Sequence, residues 1–228
     1  MERKLIIITG HFGSGKTELA MFYASKIVKT SKRPVALCDL DVINPYFRSR
    51  DYGKELSVEG VRLIAPKGEL LKADLPIVTG EVAGVIENDH SHVIIDVGGD
   101  KDGALSLGQF SHLIKNRPYE FWFVLNANRP YVSTKLGIIN TINEIENASR
   151  LKVTGIINNT HLGEDDYGPE EVVKGESLAL QASMDLGIPF LFSLISNEVR
   201  KRWGRNEYTT SFKDVEYFDR KLLAPWSK

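Results

Sequence analysis

The chain has 228 residues, 42% of them hydrophobic and 26% charged, with a formal net charge of -1, the composition of a globular protein able to bury a core. Near-neutral charge supplies no long-range field to gather nucleic acid or anionic membrane, so either would have to be met by a local patch, and nucleic acid is not expected as a partner. One cysteine, Cys38, excludes an internal disulfide and a Cys-x-x-Cys metal site, and points to a reducing, cytoplasmic setting. In chain order, apolar runs alternate with amphipathic ones. The first run, KLIIIT at 4–9, holds too few consecutive apolar residues for a signal peptide, and no later run reaches the roughly 18 of a membrane span. Runs at 4–9, 34–41, 61–66, 92–98, 119–127, 152–159 and 189–196 are apolar on both alternating faces, as buried strands are. Helices are expected between them at 17–30, 75–89, 105–116, 133–148 and 176–187. This alternation predicts an α/β fold, a mostly parallel central sheet of about seven or eight strands with helices on both faces. There is no internal repeat or low-complexity linker, so residues 1–228 read as one domain, with 197–228 as a C-terminal tail packing on it.

The stretch IIITGHFGSGKTELA at 6–20 carries the clearest chemistry: Gly10-x-x-x-x-Gly15-Lys16-Thr17 is the spacing of a phosphate-binding loop, between a strand and a helix. Glycines at 10, 13 and 15 let main-chain amides approach phosphate oxygens, and the positive end of the helix beyond points at them. The nucleotide-binding candidates are therefore Gly10, His11, Gly13, Ser14, Gly15, Lys16, Thr17 and Glu18. Amides from Gly13 to Thr17 wrap a β-phosphate, Lys16 bridges β- and γ-phosphates, and the Thr17 hydroxyl ligates Mg²⁺. HVIIDVGGD at 92–100 ends in Asp96, an acid placed to hold the magnesium water shell, and Gly99 offers an amide to a γ-phosphate. CDLD at 38–41 places Asp39 and Asp41 on one side of an extended segment, within reach of metal-bound and attacking water.

The ordered set GHFGSGKT, CDLD, IIDVGG, GIINN and LGIPFLFSLIS resembles the MinD/ParA branch of P-loop NTPases over roughly residues 4–196. That resemblance implies an ATP- and Mg²⁺-dependent hydrolase in which Lys16, Asp41 and Asp39 are catalytic and Thr17, Asp39 and Asp96 surround the metal. It also places an adenine-reading asparagine at Asn158, whose side-chain amide offers the donor and acceptor that adenine requires. No Asn-Lys-x-Asp sequence for guanine occurs. Dimerising members of that branch carry a second lysine after the first glycine; His11 stands there instead, as a conditional cation or an idle loop residue. The implied role is a nucleotide-driven switch acting on a partner protein or a cofactor-assembly process, with a homodimer possible. An ATP-dependent ligase or kinase of CobQ/CobB or dethiobiotin-synthetase type, holding an anionic substrate with Arg48, Arg50 and Lys101, is the alternative. A non-catalytic nucleotide sensor is the third reading.

Five further features have plain structural readings. Arg129 after the strand at 119–127 is expected in a surface ion pair, with phosphate or a partner as the other option. HLGEDD at 161–166 reads as a solvated loop, EVRKRWGR at 198–205 as a solvated helix, and Cys38 as a small core residue. Ser133 or Thr134 is suited to cap the helix that follows it.

Overall fold

The computed structural model describes residues 2–40, 52–65, 80–163, 167–203 and 214–222. Eight strands form one sheet: β1 (Leu5–Thr9), β2 (Val35–Leu40), β3 (Val61–Ile64), β4 (His92–Val97), β5 (Glu120–Leu125), β6 (Gly155–Asn158), β7 (Phe190–Ser196) and β8 (Val215–Phe218). Every pairing is parallel, in the order β3-β2-β4-β1-β5-β6-β7-β8. The connecting helices are α1 (Lys16–Thr30), α2 (Gly53–Val58), α3 (Gly80–Glu87), α4 (Lys101–Gly108), α5 (Ser111–Ile114), α6 (Lys135–Ser149), α7 (Pro169–Leu186) and α8 (Asn197–Trp203).

The apolar runs become strands because both of their faces are covered. In β1, Leu5 and Ile7 face a core shared with α3, α4, α6 and α7, while Ile6 and Ile8 face a second core shared with α1 and α2. Phe218 and Leu222 of the C-terminal segment join the second core, so the tail is part of the sheet-covering layer. Among the described residues no helix is long and apolar enough to cross a membrane.

Some element boundaries differ from the sequence expectation for identifiable reasons. The helix expected at 105–116 is two helices, and the first starts early because Asp100 caps it: its Oδ1 accepts from Gly103 N at 2.7 Å. The helix expected at 176–187 starts at Pro169, a residue preorganised for the first helical position. Of the two candidate caps for α6, Thr134 serves, its Oγ1 accepting from Gly137 N at 3.1 Å. The strand order turns around at β1, flanked by β4 and β5, which opens a crevice at the carboxyl ends of these strands.

Candidate functional site

The glycine-rich loop leaves β1 in that crevice and turns into α1. Gly15 sits at the helix start in the left-handed region (φ 83°), and the Asn159 amide occupies the space its side chain would need, so glycine is required there on both counts. Two carbonyls of the loop are held by neighbouring side chains. Gly13 O accepts from Asn126 Nδ2 at 3.1 Å and from Arg129 Nε at 3.2 Å, and Ser14 O accepts from Asn159 Nδ2 at 2.7 Å. The first helical hydrogen bond is Leu19 N to Gly15 O at 3.0 Å, so the amides of residues 16–18 precede it at the positive end of the helix. The Ser14 hydroxyl is buried and has no hydrogen-bond partner among the described residues, a polar group that a phosphate oxygen would satisfy.

Asp39 on β2 and Asp96 on β4 are register neighbours on adjacent strands, each 1% exposed, and Asp96 is also paired in register with Ile8 of β1. The fold therefore places Asp96 on the strand beside β1, with Asp39 next to it on β2, one strand further out. Lys16 and Thr17 are buried at the start of α1. Gly99 presses on the Gly10 carbonyl oxygen so closely that any side chain would overlap it, tying the end of β4 to the first residue of the loop. Asp41, Arg48 and Arg50 lie outside the described residues. Lys101 is exposed at the start of α4.

A cleft of about 170 Å³ extends from the loop. Gly13, Gly15, Lys16, Thr17 and Glu18 form its floor. Asn159, His161, Gly163 and Tyr167, after β6, form one wall, and Phe218, Arg220 and Leu222 of the tail form another. The tail wall is fixed through Glu18, whose carboxylate oxygens accept from Lys221 N at 2.7 Å and Leu222 N at 2.8 Å. Burial raises the pKa of that carboxyl, and the two amide bonds offset part of the rise. Beside it, Lys221 Nζ reaches Glu59 Oε1 at 2.5 Å, and Lys26 Nζ reaches Glu216 Oε1 at 2.6 Å.

Two expected residues are placed elsewhere. Asn158 is fully buried and absent from the cleft lining: its Nδ2 donates to Val172 O and Ser193 Oγ, each at 3.0 Å, and its Oδ1 accepts from Thr160 N and Thr160 Oγ1. Its amide is spent on bracing β6 against β7 and α7, and the asparagine on the cleft wall is Asn159. His11 lies against the Tyr131 ring, centroids 5.4 Å apart, and its Nδ1 is 3.3 Å from Phe12 O; it too is outside the lining. Phe12, more than half exposed, reaches the cleft mouth.

His161, Asn126 and Asn159 were not picked out by residue type alone. His161 Nδ1 accepts from Gly163 N at 3.0 Å, which leaves its proton on Nε2 in the neutral ring. Burial first, then the positive charges of Arg129 and Arg220, push its pKa down to about 4, so it is neutral near pH 7. The signal for Asn126 and Asn159 was their position at strand ends beside the loop, visible only once β5 and β6 are placed next to β1.

The remaining features keep to structural roles. In α8, Lys201 pairs with Glu198 at 3.6 Å and the Arg200 guanidinium lies 4.1 Å from the centre of the Tyr217 ring. Cys38 is buried with its thiol pushed up to about 12 by burial, which makes it unreactive. Among the described residues no group of three or more His, Cys, Asp or Glu side chains is placed to hold a metal ion.

No protein-family model and no curated protein sequence matches the chain. Solved structures do. FtsY from Thermotoga maritima is similar at 23% identity and a TM-score of 0.57, over 85% of this chain and 62% of that one. The signal recognition particle 54 kDa protein from Aeropyrum pernix, in complex with GDP, is similar at 17% identity and TM-score 0.54, over 85% of this chain and 41% of that one. A nucleotide-binding protein from Archaeoglobus fulgidus in complex with ADP is similar at 14% identity and TM-score 0.53, over 96% of this chain and 94% of that one. The chain thus spans less than two thirds of the first two proteins and nearly all of the third, and what it shares with them is the parallel α/β fold of P-loop nucleotide-binding proteins.

Proposed function

We propose that the protein binds and hydrolyses a nucleoside triphosphate, with ATP as substrate and Mg²⁺ as metal, and uses the cycle as a switch. The observation that carries this reading is the loop itself. Its Gly13 and Ser14 carbonyls are taken up by Asn126, Arg129 and Asn159, and a Ser14 hydroxyl that is buried and without a partner among the described residues lies in it next to Lys16. Mg²⁺ would be held by Thr17, Asp39 and Asp96 and would supply charge neutralisation on the β- and γ-phosphate oxygens. Lys16 would add a fixed positive charge against the charge developing on the transferred phosphoryl group, and Asp41 would orient the attacking water. Gly99, seated on Gly10, gives loss of the γ-phosphate a direct path into the β4–α4 segment.

Adenine is favoured by what the cleft offers. Among the described lining residues the one carboxylate is Glu18, and its oxygens are taken up by the amides of Lys221 and Leu222. Among the described residues no lining carboxylate is left to receive the two N–H donors of guanine. The similar solved structures hold both bases, ADP in the Archaeoglobus fulgidus protein and GDP in the Aeropyrum pernix one, so the preference rests on the cleft alone. We place the chain with the MinD/ParA-like group, with His11 where that group's dimerising members carry a lysine; a second copy or a partner protein would meet the face bearing Phe12 and Tyr131, both exposed.

The test is steady-state phosphate release from MgATP by the wild type, Lys16→Ala and Asp41→Asn, with MgGTP in parallel. Release that requires Lys16 and prefers ATP supports the reading. Release that appears only after a metabolite is added would move the protein to the phosphotransferases and ligases, and absence of nucleotide binding in a folded sample would end the proposal.

A further inference from the structure

Arg129 leaves the turn after β5, and that turn is tightly held. Its own amide donates to Asn126 O at 3.0 Å, Asn128 N donates to Asn126 Oδ1 at 3.1 Å, and Asn128 is tied to α7 through Glu171 at 2.6 Å and Lys174 at 2.7 Å. From this base the guanidinium lies flat against the loop: a Cβ on Gly13 would come within 2.7 Å of Nε and 2.8 Å of Cζ. Nε donates to Gly13 O at 3.2 Å, which uses one of the five N–H groups the side chain carries. Among the described residues no carboxylate stands within ion-pair distance of Arg129, and the side chain lines the same cleft as Lys16 and Thr17. A surface arginine ordinarily pairs with an acid or extends into water; this one spends a charged group on a neutral carbonyl at the rim of a cleft with positive charge on its floor. Its charge is also felt across the cleft, where it helps hold His161 neutral.

We infer that Arg129 is a phosphate-binding residue of the cleft, a cation fixed by the chain's own β5–α6 turn that grips the nucleotide from the β-phosphate outward. The inference rests on the reading of the cleft as a nucleoside triphosphate site and deepens it. The β-phosphate is assigned because the guanidinium is seated on Gly13, the first of the amides expected to surround that group, with its Nη donors available for a bidentate grip on phosphate oxygens. Supplied in cis, this charge makes phosphate binding independent of a second subunit.

The experiment is calorimetric titration of MgATP, MgADP and AMP into wild type, Arg129→Ala, Arg129→Gln and Arg129→Lys, with turnover of MgATP measured alongside. Glutamine retains a neutral donor for Gly13 O, so it separates the charge from the bracing of the loop. Affinity for MgATP and MgADP should fall at least about tenfold in the Ala and Gln variants and less in the Lys variant, as expected for losing a charge-assisted pair of hydrogen bonds. Affinity for AMP should stay unchanged. A Gln variant that binds MgATP and MgADP like wild type, or a loss of the same factor for AMP, would overturn the assignment while leaving the nucleotide site intact. Wild type that binds none of the three ligands would overturn both this assignment and the reading it rests on.

Discussion

Glu18→Gln tests how the tail is held against the cleft. The buried carboxylate accepts from the amides of Lys221 at 2.7 Å and Leu222 at 2.8 Å. Glutamine has the same reach but one acceptor oxygen, and its NH2 group would face the second amide, donor against donor. Hydrogen bonds to a charged group contribute about 1.5–3 kcal/mol, and a buried donor left unmade costs about 1–3 kcal/mol. The charge removed carries a burial penalty, which is why the Glu18 pKa is raised, and this recovery brings the expected net loss to about 2 kcal/mol. A domain of this size loses about 2–4 °C of Tm per kcal/mol, so the melting temperature should fall by about 4–8 °C. Should the tail open as a separate unit, the loss would appear instead as faster amide exchange at Lys221 and Leu222. Glu59→Gln is the control: its pair with Lys221 joins two side chains each about a third exposed, and an exposed pair of this kind is worth under about 1 kcal/mol. Unchanged Tm together with unchanged exchange at residues 221 and 222 in Glu18→Gln would refute the view that this carboxylate anchors the tail.

His161 makes a pH prediction. Its folded pKa, about 4, lies below the ordinary histidine value of 6.5, so between these values the unfolded chain binds more protons and stability is lost as pH falls through that window. Urea midpoints at pH 7.0, 5.5 and 4.5 should show a smaller acid loss in His161→Gln than in wild type; equal losses would argue against a buried neutral ring. The two neighbouring asparagines should separate cleanly. Asn158→Ala removes four internal hydrogen bonds and should lower stability by about 2–4 kcal/mol, with the ATP-over-GTP ratio unchanged. Asn159→Ala frees Ser14 O and should weaken MgATP binding with a smaller stability loss, both read by calorimetry and denaturant melts.

The loop, the strand before it and the helix after it were legible because the chemistry demands a fixed local spacing: Leu5–Thr9 is buried throughout, and α1 opens at Lys16 after a left-handed Gly15. The seven apolar runs became strands for the same local reason, and the acids at Asp39 and Asp96 followed as residues at strand ends. Long-range pairing was not legible. Whether Asn158 or Asn159 reaches the cleft depends on which face of β6 meets the loop, since adjacent strand residues point oppositely, and composition does not set that. Arg129 looked like a surface residue because nothing local announces that β5 lies beside β1. In the tail, VEYF at 215–218 has no strict alternation, and it becomes β8 only because β7 offers an open parallel edge.

The last consequence joins the tail to the nucleotide. The first turn of α1 is shared: Lys16 and Thr17 belong to the cleft floor, and the next side chain, Glu18, holds the tail that walls the same cleft with Phe218, Arg220 and Leu222. A nucleotide filling the cleft contacts a wall that exists only when the tail is docked, so it must favour the docked state by its difference in affinity for the two states. Reciprocity then requires that tail docking raise nucleotide affinity by the same factor as the nucleotide favours docking, so a variant that populates the undocked tail binds more weakly. MgATP at about 100 times its Kd should stabilise the protein by about 2.7 kcal/mol, and part of that gain should appear as slower amide exchange at 215–222. Glu18→Gln should bind MgATP more weakly than wild type although its side chain touches the tail. Equal affinities, with exchange at 215–222 indifferent to MgATP, would show that the tail covers the cleft without taking part in binding.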